Sequence, residues 1–371
     1  MIKNLLALFS TLFLCAILGE VFLRFVVDEV NFLRPDMMAH PVLRHAISPG
    51  SGGHDDWGFR NPIVPGNVQI VAIGDSQTYG TSAPASKSWP ARLGRLSMMT
   101  VYNMAVGGYG PPDYRYLLNT KAKLLNPCLV LIGFYYGNDL PRSYQHAKNL
   151  KVNSIKLKNR RPERILTDLR DWLSRNSLTY QMSKFSLGRL IELFRFYEPR
   201  PSSGRQIYPV IAHNWRTILN PRPRFSALDQ SKEANRIGLS ETLKILDKTR
   251  EDCTKMKARC VFVLIPTKIT VYWPVVRQIL RGKGYQYVQA EVEEEARVRR
   301  VMTGFLKNHK IEFVDPTEAM QAAARGDPLY PSNYDGHLNE RGNEVLATEI
   351  FNAEIFNKAG MSSSCPDFVD G

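Results

Sequence analysis

Two short stretches hold residue types that do chemistry together: "VQIVAIGDSQTYGTS" (Val68–Ser82) and "SNYDGHLNERGN" (Ser332–Asn343). In the first, an apolar run stops at Gly74 and is followed at once by Asp75 and Ser76. A helix cap accounts for the pair, since Asp and Ser both favour the N-cap position. A nucleophile held over the end of a strand accounts for it too. A serine hydroxyl attacks an ester only with a base to take its proton and a group to orient that base, and the developing oxyanion needs donors aimed at it. His337 in the second stretch has Asp335 two residues before it; His40, His45, His54, His146, His213 and His309 are read as surface or loop histidines. Asn138 in "YYGNDL" offers a side-chain NH₂, and Gly108 in "AVGGYG" offers an unobstructed backbone N–H. Each block alone has a structural explanation as a cap, a flexible turn or an Asn turn. Together, in chain order and each after an apolar run or in a C-terminal loop, they point to acyl transfer.

These residues need a scaffold that brings distant segments to one edge. Five short, β-branched runs supply it: Val68–Ile73, Val101–Met104, Leu129–Phe134, Val261–Ile265 and Ile311–Val314. Continuous apolar runs of this length suit strands covered on both faces. Helical segments alternate with them, among them Glu233–Lys257, Val292–Leu306 and Glu340–Phe356. The pattern predicts an α/β fold: a three-layer, flavodoxin-like α/β/α arrangement around a five-stranded parallel sheet. Ligands bind beyond the carboxyl ends of such strands, where the polar blocks fall. The interval 150–230 breaks the alternation and reads as a helical insertion, with Leu166, Leu169, Leu173 and later Leu190, Ile191 and Phe194 at helical spacing. A nucleotide-binding version of the topology is disfavoured, because no glycine-rich loop follows the first strand with P-loop or dinucleotide spacing. The absence of G-x-S-x-G argues against an α/β-hydrolase elbow.

Net charge is +14 at pH 7, and residues 142–232 hold nearly all of the excess, with 19 Lys/Arg against 6 Asp/Glu. So localised a charge suggests an anionic surface contact or a solvated basic face. Nucleic acid is not expected as the partner, since no recognisable binding motif accompanies the charge. Cys15, Cys128, Cys253, Cys260 and Cys365 are too scattered for a disulfide framework; Cys253 and Cys260 are read as buried thiols, with pairing left open. No His/Cys cluster has zinc spacing, so no metal is expected.

The N-terminus, "MIKNLLALFSTLFLCAILGEVFLRFVVDEV", is nearly all apolar from Leu5 to Leu18 and stays apolar through Val27, interrupted there only by Glu20 and Arg24, which are spaced to pair on one helix face. That length spans a bilayer, and no good cleavage site follows it, so a retained anchor is expected and a cleaved signal is the alternative. The expected organisation is an anchor or signal segment at 1–30, a connector at 31–66, a catalytic domain at 67–360 carrying the basic insertion, and a tail at 361–371.

The blocks "GDSQ", "NMAVGGYG", "GND" and "DGHLN" resemble those of the SGNH (GDSL-type) hydrolases, over roughly residues 55–357. "WGFRNP" (Trp57–Pro62) looks like the lead-in of membrane-anchored bacterial members. The resemblance implies Ser76 as nucleophile, His337 as base, Asp335 as its orienter, and an oxyanion hole of the Ser76 and Gly108 N–H groups with Asn138. It implies no cofactor. The commoner family spacing is Asp-x-x-His, and here Tyr334 stands three before His337. The shorter Asp-x-His occurs in relatives acting on exopolysaccharides and tilts the substrate towards acylated glycans. Gln77 is also unusual for the family and is read as part of the pocket wall. The expected activity is ester hydrolysis on an O-acylated glycan, lipid or small molecule, by an anchored protein facing the periplasm or exterior. An O-acyltransferase using the same triad is the alternative, and a non-catalytic polyanion-binding protein is a third reading.

Overall fold

A computed structural model describes residues 2–151, 165–184, 207–212, 215–353 and 356. The chain divides into two compact units, Met1–Val64 with Lys156–Pro199, and Pro65–Ile155 with Arg200–Gly371. Leu190, Ile191, Phe194, His213 and the expected tail at 361–371 lie outside the described residues.

The first unit begins with helix α1 (Ile2–Val26), whose apolar span Lys3–Val26 has a mean hydropathy of 2.3 and no burial within the structure. Its length and composition fit a membrane span or a signal sequence. Near its end, Glu20 pairs with Arg24 at 3.0 Å, as their spacing predicts. Glu20 does more than that. It accepts from the Leu178 and Thr179 N–H groups at 3.1 and 3.0 Å and from the Ser177 hydroxyl at 3.0 Å, where the chain enters helical residues 178–184. A carboxylate there satisfies amide donors that a helix start leaves unpaired. Arg24 donates to the Asn176 carbonyl at 2.8 Å, at the end of the helix Ile165–Asn176. Leu169 of that helix, one of the leucines at helical spacing, is exposed, as is Trp172. Residues 31–66, read as a connector, contain a hairpin of Met37–His40 with Arg44–Ile47. The "WGFRNP" stretch is a turn organised by Asp55, which accepts from the Trp57 and Phe59 N–H groups and the Asn61 amide.

In the second unit, β1 (Ile70–Gly74), β2 (Val101–Ala105), β3 (Leu129–Tyr135), β4 (Arg259–Ile265) and β5 (Glu312–Val314) match the five expected runs to within two residues at each end. They form one parallel sheet in the order β2-β1-β3-β4-β5. Every residue of β1 and β3 is buried. Ile70, Ala72, Leu129, Leu131, Val261 and Val263 share one core with side chains from the helices of one face. The alternate residues Val71, Ile73, Val130, Ile132, Phe262 and Leu264 are buried as well, so both faces are covered.

The helices of this unit are α2 (Ser76–Tyr79), α3 (Trp89–Ser97), α4 (Pro111–Thr120), α5 (Asp139–Lys151), α6 (Pro221–Leu228) and α7 (Glu233–Lys255). They continue with α8 (Lys268–Val276), α9 (Gly282–Asn308), α10 (Thr317–Ala323) and α11 (Glu340–Asn352). α4, α5 and α7 pack on one another, and α3, α11, α10 and α8 form a second packed series. The part of the expected insertion that belongs to this unit is not all helical: Tyr208–Ile211 and Arg216–Leu219 form an antiparallel hairpin ahead of α6. Cys253 and Cys260 are buried and free, whereas Cys128 is disulfide-bonded.

Two glycines shape the sheet edge where Ser76 sits. A Cβ on Gly74 or on Gly133 would lie 2.1 or 2.2 Å from the Thr78 hydroxyl oxygen. Without side chains there, the ends of β1 and β3 admit the single turn α2 between them. Arg142 then braces the two neighbouring loops. It donates to Asp113 at 2.7 and 2.5 Å, and Asp113 accepts from the Gly110 N–H at 3.1 Å. Asp113 is 1% exposed, so Arg142→Met deprives a buried carboxylate of its countercharge. Breaking a buried pair from one side costs about 3–5 kcal/mol. Urea unfolding of the variant should show a loss of that order; a loss below about 1 kcal/mol would mean the pair does not brace the fold.

Candidate active site

β1 ends at Gly74, and Asp75 becomes the N-cap of α2, its carboxylate accepting from the Gln77 N–H at 2.9 Å. The cap reading of "GDS" is therefore correct for Asp75, and it leaves Ser76 at the first helical position. The Ser76 hydroxyl oxygen lies 2.9 Å from His337 Nε2, and His337 Nδ1 lies 2.6 Å from Asp335 Oδ1. Burial pushes the Asp335 carboxyl up, but the His337 and Ser82 hydrogen bonds and the neighbouring His337 charge outweigh it and hold the group down at about 2. An ionised Asp335 accepts only, so His337 Nδ1 donates to it, and in that tautomer Nε2 is placed to accept from the Ser76 O–H.

The shorter Asp-x-His spacing works because Asp335 is doubly tied to its histidine. Its Oδ1 accepts from the His337 backbone N–H at 3.0 Å as well as from the ring. Its Oδ2 accepts from the Ser82 hydroxyl. A two-residue turn thus brings carboxylate and imidazole together, and Tyr334, 65% exposed, takes no part in that pairing.

Asn138 lies just beyond β3 and donates through Nδ2 to Asp75 Oδ2 at 2.9 Å; the Ser76 hydroxyl is 3.4 Å from the same oxygen. One buried carboxylate therefore sets the Asn138 amide beside Ser76. Burial raises the Asp75 pKa, against the opposing hydrogen bonds from Gln77 and Asn138. Gly107 faces Ser76 closely, with its absent Cβ position 3.7 Å from the Ser76 Cβ, and Gly108 follows at φ +81°. Such a backbone conformation is open to glycine at no steric cost. All five sequence-selected residues, Ser76, Gly108, Asn138, Asp335 and His337, are thus carried by the loops at the carboxyl ends of β1, β2 and β3 and by the loop before α11.

Three residues have supporting roles that the sequence did not reveal. Gln77, read as pocket wall, clamps the histidine loop: its Nε2 donates to the Gly336 carbonyl at 2.8 Å, and its Oε1 accepts from the Leu338 N–H at 3.3 Å. Lys268, at the start of α8, donates through Nζ to the carbonyls of Pro331, Asn333 and Asp335 at 3.2, 2.7 and 2.9 Å. Burial pulls its ammonium down to about 7, opposed by the Asp335 charge. Asp139 accepts from the Tyr135 N–H at 3.1 Å and from the Tyr114 hydroxyl at 3.1 Å, fixing the turn that holds Asn138. Its carboxyl is pushed well up by burial and by the Asp75 charge. "GND" gives a faint cue to Asp139; nothing in "IPTK" singles out Lys268. Among the described residues no group of His, Cys, Asp and Glu has the arrangement of a metal site.

Beside the histidine loop is a cavity of about 510 Å³, into which Arg224, Lys268, Glu291, Asn333 and Tyr334 contribute. It opens next to Asp335 and His337.

No family model and no curated protein matches the chain. Among solved structures it is similar to a lipolytic protein of the G-D-S-L family from Desulfitobacterium hafniense, at 13% identity and a TM-score of 0.39 over 76% of this chain and 98% of that one. It is also similar to an extracellular lipase from Streptomyces rimosus, at 14% identity and a TM-score of 0.42 over 77% and 99%. An acetylxylan esterase from Geobacillus stearothermophilus matches at 11% identity and a TM-score of 0.39 over 78% and 94%. Likenesses this distant lend no residue a role. They are likenesses to lipolytic and esterase proteins, one of them of the G-D-S-L family.

Proposed function

We propose that the protein is a serine ester hydrolase of the SGNH type, held at a membrane and acting on an O-acylated substrate. The observation that carries this reading is the continuous chain Ser76–His337–Asp335, with contacts of 2.9 and 2.6 Å. In the reaction, His337 Nε2 takes the Ser76 proton as the oxygen attacks the ester carbonyl. The tetrahedral oxyanion accepts from the Ser76 and Gly108 N–H groups and from the Asn138 amide, and His337 then passes its proton to the leaving alcohol. Water repeats the sequence on the acyl-enzyme with His337 as base. A sugar hydroxyl taking the place of water would make the same triad an O-acyltransferase, and the polar cavity beside His337 gives such an acceptor room. Turnover that requires an added glycan would favour the transferase; release of free acid without one favours the hydrolase. The intact triad disfavours a purely binding role.

For location, two observations support a retained anchor with the catalytic unit outside the cytoplasm. The end of α1 is bonded through Glu20 and Arg24 into its own unit rather than ending at a cleavable stretch. The Cys128 disulfide suits an oxidising compartment. The basic segment 142–232 is a candidate contact for an anionic surface, although its members Arg142 and Arg175 are engaged internally with Asp113 and Asp36.

A fluorophosphonate probe should label the wild-type protein at Ser76, and Ser76→Ala and His337→Ala should each abolish labelling. Hydrolysis of p-nitrophenyl acetate should fall by a factor of about 10³ or more in each variant. Unlabelled, well-folded wild-type protein would defeat the esterase reading. The folded-state pKa of Asp335, about 2, lies below its ordinary 3.8. Its pairing therefore stabilises the fold fully above about pH 4, and that contribution is lost as pH falls towards 2. Melting temperatures of Asp335→Asn should accordingly drop less than those of wild type across that window; parallel curves would contradict the pairing. For the anchor, alkaline carbonate should leave the protein in the membrane pellet, and release into the supernatant would count against it.

A further inference from the structure

The cavity beside His337 contains two polar groups whose bonding capacity is not used. Glu291, on α9, is 0% exposed, and among the described residues neither of its carboxyl oxygens has a close hydrogen-bond partner; the nearby Thr267 hydroxyl donates to Glu295 instead. Burial, followed by the nearby Glu295 charge, pushes its pKa well up and so favours the neutral acid, a form with one donor and open acceptor sites. Arg224, on α6, is the second. One of its N–H groups donates to the Gly137 carbonyl at 3.0 Å, and its guanidinium lies 5.5 Å from the centre of the Tyr135 ring. No further hydrogen bond from the Arg224 fork is formed among the described residues. Lys268, the other cation of the cavity, spends three donors on the histidine loop and has little left for a ligand.

Buried polar groups are costly unless paired, and a buried acid without a partner is among the groups a fold loses stability by keeping. Glu291 is left waiting in a cavity that reaches the catalytic histidine, opposite an arginine with free donors. A partner for both must accept from the guanidinium and also donate to or accept from the carboxyl. A hydroxyl group does this without adding charge. An anion fits less well: Arg224 already faces the Asp75 and Asp335 carboxyls, and Asp335 stays ionised against the same cavity. An aliphatic chain would bury both groups unpaired.

Resting on the ester chemistry of Ser76, we infer that this cavity is the subsite for the alcohol portion of the substrate, where Arg224 and Glu291 bind the hydroxyls of an uncharged, polyhydroxylated ring. The tip of the loop, with Asn333 and the exposed Tyr334, forms the rim over which such a ring enters. The alcohol oxygen then leaves next to His337, which holds the proton it needs.

The test uses the full-length, detergent-solubilised protein. Titration calorimetry of an acetylated neutral oligosaccharide into Ser76→Ala measures binding without turnover, so it stands even if the protein proves not to be an esterase. Glu291→Leu in that background should weaken binding at least 10-fold, Arg224→Met likewise, and Glu291→Gln should restore most of it because Gln keeps neutral donors and acceptors. Glu291→Leu should also raise Tm, since an apolar side chain replaces an unpaired buried acid; that result shows the loss is not misfolding. In the active protein, Glu291→Leu should raise KM for the oligosaccharide more than it lowers kcat. Binding unchanged in Glu291→Leu, or an acetylated uronic-acid oligomer bound more tightly than the neutral one, would overturn the assignment.

Discussion

The carboxylate of Asp75 is the interaction on which the rest of the site depends. It sits fully buried at the junction of β1 and α2 and collects the Gln77 amide and the Asn138 side chain, with the Ser76 hydroxyl oxygen 3.4 Å away. Each of these contacts fixes a different part of the chemistry. The Gln77 bond starts the single turn that raises Ser76 above the sheet, and the Asn138 bond draws the β3 loop to the same point. A charge so enclosed is unfavourable by itself, and the Asp75 pKa rises in consequence. The fold tolerates it because donors from the α2 turn and from the loop after β3 converge on it. Its neighbours repeat the pattern: Asp139 is buried with Tyr114 and the Tyr135 amide, and Asp113 with Arg142. The edge of the sheet nearest the site is thus a band of buried carboxylates, each ordering one loop.

This band explains which features were legible in the sequence. Strands were readable because each is a short apolar run, and their carboxyl ends were readable because polarity returns abruptly there. Ser76, His337 and Asp335 stood out because hydroxyl, imidazole and carboxylate in a turn have few uses together. Gln77 and Lys268 were not readable, since their partners are backbone carbonyls and amides of Pro331 to Leu338, and backbone groups leave no mark on composition. Arg224 and Glu291 were hidden for a related reason: they lie 67 residues apart in the chain, and only the packing of α6 on α9 brings them to one cavity. α8 escaped because "KITVYWPVV" is β-branched and contains Pro274, and reads locally as anything but a helix; the Thr267 cap and its buried face override that preference.

The N-terminal unit shows the same logic on a different scale. Glu20 and Arg24 interrupt an otherwise apolar helix, a costly choice unless they have work at that level. Their partners are the amides and carbonyl at the break between the helix Ile165–Asn176 and residues 178–184. The end of α1 is therefore a structural element of its unit, tied by this polar pair to the segment around residues 176–179.

Ser76 and Gln77 are consecutive residues, and this adjacency has a mechanical result. The hydroxyl that must meet His337 and the amide that grips Gly336 and Leu338, on either side of that histidine, ride on the same turn of backbone. Any sway of the β1 terminus displaces both members of the pair in the same direction. The separation between the Ser76 hydroxyl and the His337 ring is then referenced to a local datum one residue away, as in a gauge whose two jaws share a single mount.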